Sequence, residues 1–334
     1  MRARADILTF PGICDASAAV AIDEKTIIVG DDERQWLSIY DLRTQQLLDK
    51  VPLLFHSGDD SGETDARREA DIEGATIFKG RIVWITSHGR NKSGKVRPDR
   101  YRLFASHAIN SRDGKAAQAF SSSFNGVASM ILDSGDRSYA PLREAIGNLS
   151  RTDAALAPKK QGFNIEGLTA TRDGEILLIG VRNPQKDAKA LLFELAGFDG
   201  FLQGDPSQLA LGQLIEIDLG GRGIRDIAWS AAHGSYVIAA GQVDDDTDGP
   251  GFALYKWDGT GAPIQIGDFN DLDRDFHPEA VVPLLDRSDH GLAPSKRILI
   301  LSDEGAVRLG HDRIPCKEAD EARRRFRGVI RHVD

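Results

Sequence analysis

Residues 165–184 read IEGLTATRDGEILLIGVRNP: an acidic residue, a short β-prone run, a turn at Asp173-Gly174, and a second, apolar run. Four other stretches repeat the phrase. They are Cys14-Asp15-Ala16 leading to IIVG, Ile72-Glu73-Gly74 leading to RIVWITSH, Arg225-Asp226-Ile227 leading to SYVIAAG, and Pro278-Glu279-Ala280 leading to RILILSD. A phrase recurring at intervals of tens of residues, each copy rich in short strands, marks a radial or stacked repeat.

Each copy continues with further strand-like runs. WLSIYDL and QLLDKVPL follow the first, YRLFASHAI and AAQAFSSS the second, ALLFEL and GQLIEIDL the third, FALYKWDG and PIQIGDF the fourth, and AVRLG and FRGVIRHV the last. Runs of four to eight Val, Ile, Leu, Phe and Tyr residues between Gly, Asp and Asn read as strands and turns. Four antiparallel strands per unit make a propeller blade. The expected fold is therefore all-β: a single β-propeller domain over residues 1–334, with five blades. The lead acids are 58, 60 and 53 residues apart between neighbouring copies, but Glu73 to Glu166 spans 93. That interval needs an inserted element or a hidden blade. Within about 125–160, Leu142, Ala145, Ile146 and Leu149 recur with helical spacing, which predicts a small helical insertion; six blades is the alternative if 105–162 supplies strands. RADILTF is expected to complete the blade that contains FRGVIRHV.

Hydrophobic residues at 41% and charged residues at 28% allow a real core. The net charge of −9 disfavours nucleic acid or an anionic membrane as a general partner, since both are polyanions. The basic run Arg323, Arg324, Arg325, Arg327 and Arg331 reads as a solvated terminal face. Cys14 and Cys316, the two cysteines, fit a reduced chain in which both act as small buried hydrophobes, although a closed ring would bring these distant positions together. The first residues lack the apolar stretch of a signal peptide, and no run approaches the ~18 apolar residues of a membrane span. A cytoplasmic monomer is expected.

The runs FNIEGLTATRDGEILLIGVRNPQKDAKALLFEL and DIEGATIFKGRIVWITSH resemble the two signature segments of the domain-of-unknown-function 3616 family, a bacterial family grouped with β-propellers. The resemblance covers most of residues 12–330, and the pattern from Glu166 to Pro184 is its most specific part. The Glu-Gly-Leu/Ile phrase is similar to one in phytase-like and lactonase-like propellers, where acidic residues facing the central channel hold a divalent cation. The resemblance implies a shape and a candidate site. Asp15-Ala16 and Arg225-Asp226-Ile227 depart from the phrase.

In a propeller the innermost strands converge on an axial channel, so equivalent positions form a ring. Asp15, Glu73, Glu166, Asp226 and Glu279 are the expected ring. Converging carboxylates repel one another unless protonated, paired with bases or neutralised by a cation, and Ca2+ or Mg2+ suits oxygen ligands. The alternative is that each acid accepts backbone hydrogen bonds and staples blades together. A near-constant offset places Asp31, His88, Arg182, Gln242 and Asp303 at the channel mouth, with His88 as a candidate general base and Arg182 as an anion clamp; a hydrogen-bonded His88 and an Arg182–Glu166 ion pair are the plainer reading. Asp244–Gly249 resembles the opening of a calcium loop and Asp271, Asp273 and Asp275 alternate similarly, but each lacks part of the pattern. Trp36, Trp84, Trp229 and Trp257 sit in strand-like runs and read as packing residues. No nucleophile elbow, Walker loop, His-Glu-x-x-His or paired Cys-x-x-Cys is present. Two readings of function follow: a divalent-metal-dependent hydrolase of a small phosphoester, ester or lactone, or a noncatalytic propeller that binds a small molecule or a protein on its disc face.

Overall fold

The computed structural model describes residues 6–53, 69–107, 122–244 and 249–333. After β1 (Ile7–Pro11), strands β2 (Ala16–Ala21), β3 (Thr26–Asp31), β4 (Trp36–Asp41) and β5 (Leu47–Pro52) form one antiparallel sheet. The second contains β6 (Ile72–Phe78), β7 (Arg81–Thr86), β8 (Leu103–His107) and β9 (Ser122–Phe124). Helices α1 (Val127–Asp133) and α2 (Ala140–Ile146) precede the third, made of β10 (Asn164–Ala170), β11 (Leu177–Lys186), β12 (Lys189–Ala196) and, after α3 (Phe198–Leu202), β13 (Ala210–Ile217). The fourth is β14 (Gly223–Ser230), β15 (Ser235–Gly241), β16 (Ala253–Trp257) and β17 (Ile264–Asp268). The fifth begins with β18 (His277–Ser288) and β19 (Gly291–Asp303), passes a small hairpin of β20 (Arg308–Leu309) and β21 (Ile314–Pro315), and continues with β22 (Arg325–His332). Its outermost strand is β1.

Strands β2, β6, β10, β14 and β18 pack on one another in that order, and β18 returns to β2. The protein is a five-bladed β-propeller. The long interval between Glu73 and Glu166 holds α1, α2 and short 3₁₀ turns, where Leu142, Ala145 and Ile146 are buried and Leu149 packs beside them, beyond the end of α2. The AAQAF run lies outside the described residues. AVRLG, read from sequence as part of the last blade, instead contributes β20, because β22 and β1 already fill the third and fourth places of that sheet.

The apolar runs have no polar alternation because both faces of each blade are buried. Along β7, Val83 and Ile85 pack towards blade 3 with Leu168 and Ile179, whereas Ile82 and Trp84 pack towards blade 1 with Ile28 and Ile39. Side chains that alternate in direction thus meet apolar surface each time, and burying each large one is worth about 1.5–3 kcal/mol. Trp84 is fully buried, with its indole N–H donating to Ser106 Oγ at 3.1 Å, and Trp257 donates to the Gly261 carbonyl at 2.8 Å. The glycine of the Glu-Gly phrase answers the same crowding. A Cβ on Gly74 would lie 2.8 Å from Leu168 Cβ, and one on Gly167 3.0 Å from Ile224 and Ile227 of the next blade.

Cys14 and Cys316 form a disulfide, with Cα atoms 5.9 Å apart, which corrects the reading of both as reduced thiols. The physical reason is ring closure, since the turn before β2 and the β20–β21 hairpin meet at the seam between blades 5 and 1. The basic run is not a free cationic face. Arg331 pairs with Asp271 (2.5 and 2.7 Å), Arg327 with Asp273 and Glu304, and Arg323 with Asp312, while Arg324 donates to the carbonyls of Lys317 and Ala319. Asp271 and Asp273 are thereby spent on neighbouring strands. Of the other acidic stretch, 245–248 lie outside the described residues. No described helix is long and apolar enough to cross a membrane.

Candidate metal centre in the axial channel

In every blade the two innermost strands share one irregularity. Their pairing skips one residue of the inner strand: Ser17, Glu73, Glu166, Arg225 and Glu279. A β-bulge at a repeated position re-aims its side chain, so these five are the structurally equivalent set. The sequence-expected ring matches it at Glu73, Glu166 and Glu279. Asp226 stands one position later, and a shift of one residue in a strand sends a side chain to the opposite face. It occupies the crowded slot that glycine fills in blades 2 and 3, where its two carboxylate oxygens accept the backbone N–H of Ile227 and of Val281 in the next blade, each at 2.7 Å. Asp15 stands two positions earlier than the bulge.

The same pairing fixes the second set. Asp31, Thr86, Val181, Ala240 and Ser302 are opposite the residues preceding the bulge, so Asp32, Ser87, Arg182, Gly241 and Asp303 come next. Arg182 and Asp303 are in register. Asp31 comes one residue early, and His88 and Gln242 one late. His88 is 1% exposed, with Nδ1 bonded to the Thr86 carbonyl at 2.8 Å and no partner at Nε2. Burial pushes its pKa down to about 4, against the pull of that carbonyl. It is a neutral interior imidazole. The Gln242 carbonyl accepts from Arg182 Nε at 3.0 Å.

On one side of the axis the ring is a closed ion-pair network. Glu166 Oε1 accepts from Arg182 at 3.0 Å and from Asn164 at 2.6 Å, and Glu166 Oε2 lies 3.1 Å from Arg225. Arg225 also grips Glu279 with Nε at 2.8 Å and a second, close contact through its terminal nitrogen. All four charged groups are at most 8% exposed. Burial and the nearby Arg182 charge pull the Arg225 pKa down to about 10, with Glu166 opposing.

On the other side carboxylates face carboxylates. Oxygens of Asp15, Asp32 and Glu33 lie within 4.8 Å of one another. Asp303 is bridged to Asp15 through the backbone, and one of its carboxylate oxygens is held by Gly305 N–H at 2.8 Å. Burial, then the charges of Asp303 and Asp31, raise the Asp15 pKa to about 10. Burial and the charges of Asp15, Asp303 and Glu73 drive Asp32 well above the usual carboxylate range, and burial with the charges of Glu166 and Asp71 does the same to Glu73. Asp31, fully buried beside this group, is raised to about 7 by burial. Asp32 Oδ1 is sealed from solvent and accepts no hydrogen bond. Asp71, which corresponds to Asp15 in blade 2, has Arg100 at 3.0 Å. Asp15 has no such guanidinium among the described residues. Glu73, Asp32, Glu33 and Asp303 are each half-buried, whereas Asp15 is buried.

Asp32, Glu33, Arg225 and Lys317 were not singled out from sequence. The acidic triplet Asp31-Asp32-Glu33 after IIVG was a usable signal, and so was the arginine at the place of Glu in Arg225-Asp226; Lys317 carried none.

Residues 139–298 match a protein-family model described as "Protein of unknown function (DUF3616)". The match spans just under half of the chain. It includes the segment from Glu166 to Pro184 and stops short of the one at 72–88. No curated protein matches the sequence. Among solved structures, the chain is similar to glutaminyl cyclase from Myxococcus xanthus, with 12% identity, 98% of this chain and 95% of that one covered, and a TM-score of 0.45. The PQQ-bound aldose sugar dehydrogenase from Streptomyces coelicolor gives 12% identity, 98% and 99% coverage and 0.44. A GH43 β-1,3-galactosidase bound to galactodeoxynojirimycin gives 12%, 95% and 89%, and 0.46. Likeness at this level carries no chemistry across.

Proposed function

We propose that the protein holds a divalent cation at Asp15, Asp32 and Glu33, with Asp303 and Glu73 beside them, and that it acts there on a small phosphoester, ester or lactone. The observation that carries the reading is the converging set of carboxylate oxygens from Asp15, Asp32 and Glu33, together with Asp32 Oδ1, which is buried without a hydrogen-bond donor. An unpaired buried acceptor costs about 1–3 kcal/mol, and mutual repulsion adds to that cost. The residue chemistry fits a hard cation. Three carboxylates within reach of one another suit Ca2+ or Mg2+, both of which take oxygen ligands. A cation so held supplies Lewis acidity and a more acidic water.

The protein's own groups divide the work. Gly305 N–H orients Asp303, and Gly305 itself must be bare, because a side chain there would collide with the Asp15 carboxylate. The Glu166–Arg225–Glu279 network keeps the far wall fixed. His88 and Arg182 drop out of the proposed chemistry: His88 is enclosed, and Arg182 is committed to Glu166 and the Gln242 carbonyl. That fixed wall, together with Asp226 clamping Val281, favours the second reading, a noncatalytic propeller with a bound ligand or partner.

Calorimetric titration of chelator-treated protein with Ca2+ and Mg2+, followed by a panel of aryl phosphates, aryl esters and lactones, tests both. Saturable binding with the Asp32→Asn variant weakened at least tenfold is expected, since that change removes one ligand charge. Binding without turnover on any of the three substrate classes supports the noncatalytic reading. No binding by the wild type overturns the cation site.

A further inference from the structure

Among the described residues, one side-chain cation, Lys317, is bonded to the carboxylates on the blade 1 side, and it stands next to a crosslinked cysteine. Lys317 Nζ donates to Glu33 Oε1 at 2.8 Å, with each side chain about one-third exposed. The Lys317 pKa is raised by its bond to Glu33 and by the charges of Glu33, Asp15 and Asp32, although burial opposes them. Lys317 lies in no blade. It follows Cys316 directly, just as Asp15 follows Cys14, so the single disulfide fixes both the lysine and a cluster carboxylate. The surrounding segment folds onto the channel end through a few backbone bonds. Glu304 N–H donates to the Cys14 carbonyl at 2.9 Å, Cys316 N–H to Val307 at 2.8 Å and Lys317 N–H to Gly305 at 3.2 Å. Its apolar contacts are few: Leu309, Ile314 and Ala319 around the two cysteines.

We propose that Lys317 is a tethered counter-ion of the axial cluster, held there by the Cys14–Cys316 disulfide, so that a divalent cation must compete with its ammonium group and binds according to the redox state of the crosslink. This rests on the cation reading above. A unit positive charge a few ångströms from a divalent ion in a half-buried site opposes binding by enough to change affinity about tenfold. Reduction by a dithiol passes two electrons and two protons to the disulfide, leaving thiols at Cys14 and Cys316 and a disulfide on the reductant. The loop then keeps these backbone bonds, the two that Arg324 donates to the carbonyls of Lys317 and Ala319, and its small apolar cluster, while the lysine side chain gains freedom to leave Glu33.

The test is a set of Ca2+ titrations on oxidised and dithiol-reduced protein, each as wild type, Lys317→Gln and Lys317→Arg. Oxidised Lys317→Gln is expected to bind about tenfold tighter than oxidised wild type, and Lys317→Arg, which keeps the charge, to remain within about threefold of it. Reduction is expected to shift wild type towards the Lys317→Gln value and to leave Lys317→Gln unmoved, the non-additivity of two changes acting through one group. Equal affinity for wild type and Lys317→Gln overturns the counter-ion. A redox shift of the same size in both overturns the tether. In each of these cases Ca2+ still binds, so the axial site stands; absence of binding in every form overturns the site and this inference together.

Discussion

The two sides of the axial channel solve one problem in opposite ways. Backbone register makes Glu166, Arg225 and Glu279 equivalent to Ser17 and Glu73. On the blade 3 to blade 5 side, two buried glutamates meet two arginines and form a network of short contacts. Around blade 1, Asp15, Asp32, Glu33 and Asp303 gather with one bonded side-chain cation, Lys317, among the described residues. The difference teaches that a repeat copies backbone geometry and not chemistry. One arginine at a bulge position turns a carboxylate ring into a structural clamp on its side, and a serine at the matching position leaves the other side to its neighbours.

The contrast breaks first at Arg225. Changing it to Gln leaves Glu166 and Glu279 buried beside one another, and breaking a buried pair by removing one partner costs about 3–5 kcal/mol. Urea denaturation should show that loss; a change below about 1 kcal/mol would mean that the two sides do not differ in the way described.

Blade 2 lies between the two sides, and His88 reports how well it is sealed. Its pKa is about 4 in the fold against 6.5 ordinarily, so the unfolded chain binds the extra proton between those values. Stability attributable to His88 is complete above about pH 6.5 and is lost as pH falls towards 4, by about 3 kcal/mol in all. Asp31, raised to about 7, works in the opposite direction over this window, so the difference in denaturation midpoint between wild type and His88→Gln, not the wild-type curve alone, should follow this slope.

Asp226 sharpens the distinction between staple and ligand. Asp226→Ala removes the acceptor of the Ile227 and Val281 amides, at about 1–3 kcal/mol, and cation affinity should stay as in wild type. An effect on affinity would place Asp226 back among the ligands. The smallest effect on stability belongs to Asp32→Asn in metal-free buffer. Relief of repulsion should leave it within about 1 kcal/mol of wild type, or slightly above, even as its cation binding falls.

The five blades were legible because each copy writes its inner hairpin as an acid followed by a doubly buried apolar strand, with a small residue after the acid in all copies but the fourth, where Ile227 follows Asp226. The pairing of RADILTF with FRGVIRHV followed from the need to close the ring. The site was harder to read. Counting from the lead acids puts Asp226 in the ring and Arg225 outside it, because nothing in the local pattern shows where the bulge falls. His88 sits after a strand like a mouth residue, yet one step past register it turns inward. Cys316 and Lys317 reach the cluster from about 300 residues away in sequence from Cys14 and Asp15. No local spacing encodes that approach. The expected cytoplasmic location drew partly on two free thiols, and the disulfide removes that support.

The pairing of Ile7 with Val329 and of Pro11 with Arg325 has a consequence during synthesis on the ribosome. Blades 1 to 4 are each continuous in sequence and can assemble in order as the chain emerges. β1 emerges first and finds its partner last, waiting through more than 300 residues of elongation with its edge unpaired. Until β22 is released, β19 also presents an open edge, and both are surfaces on which chains aggregate. Nascent chains arrested shortly before residue 325 should therefore be the ones that depend most on chaperones, although four of their five blades are already complete.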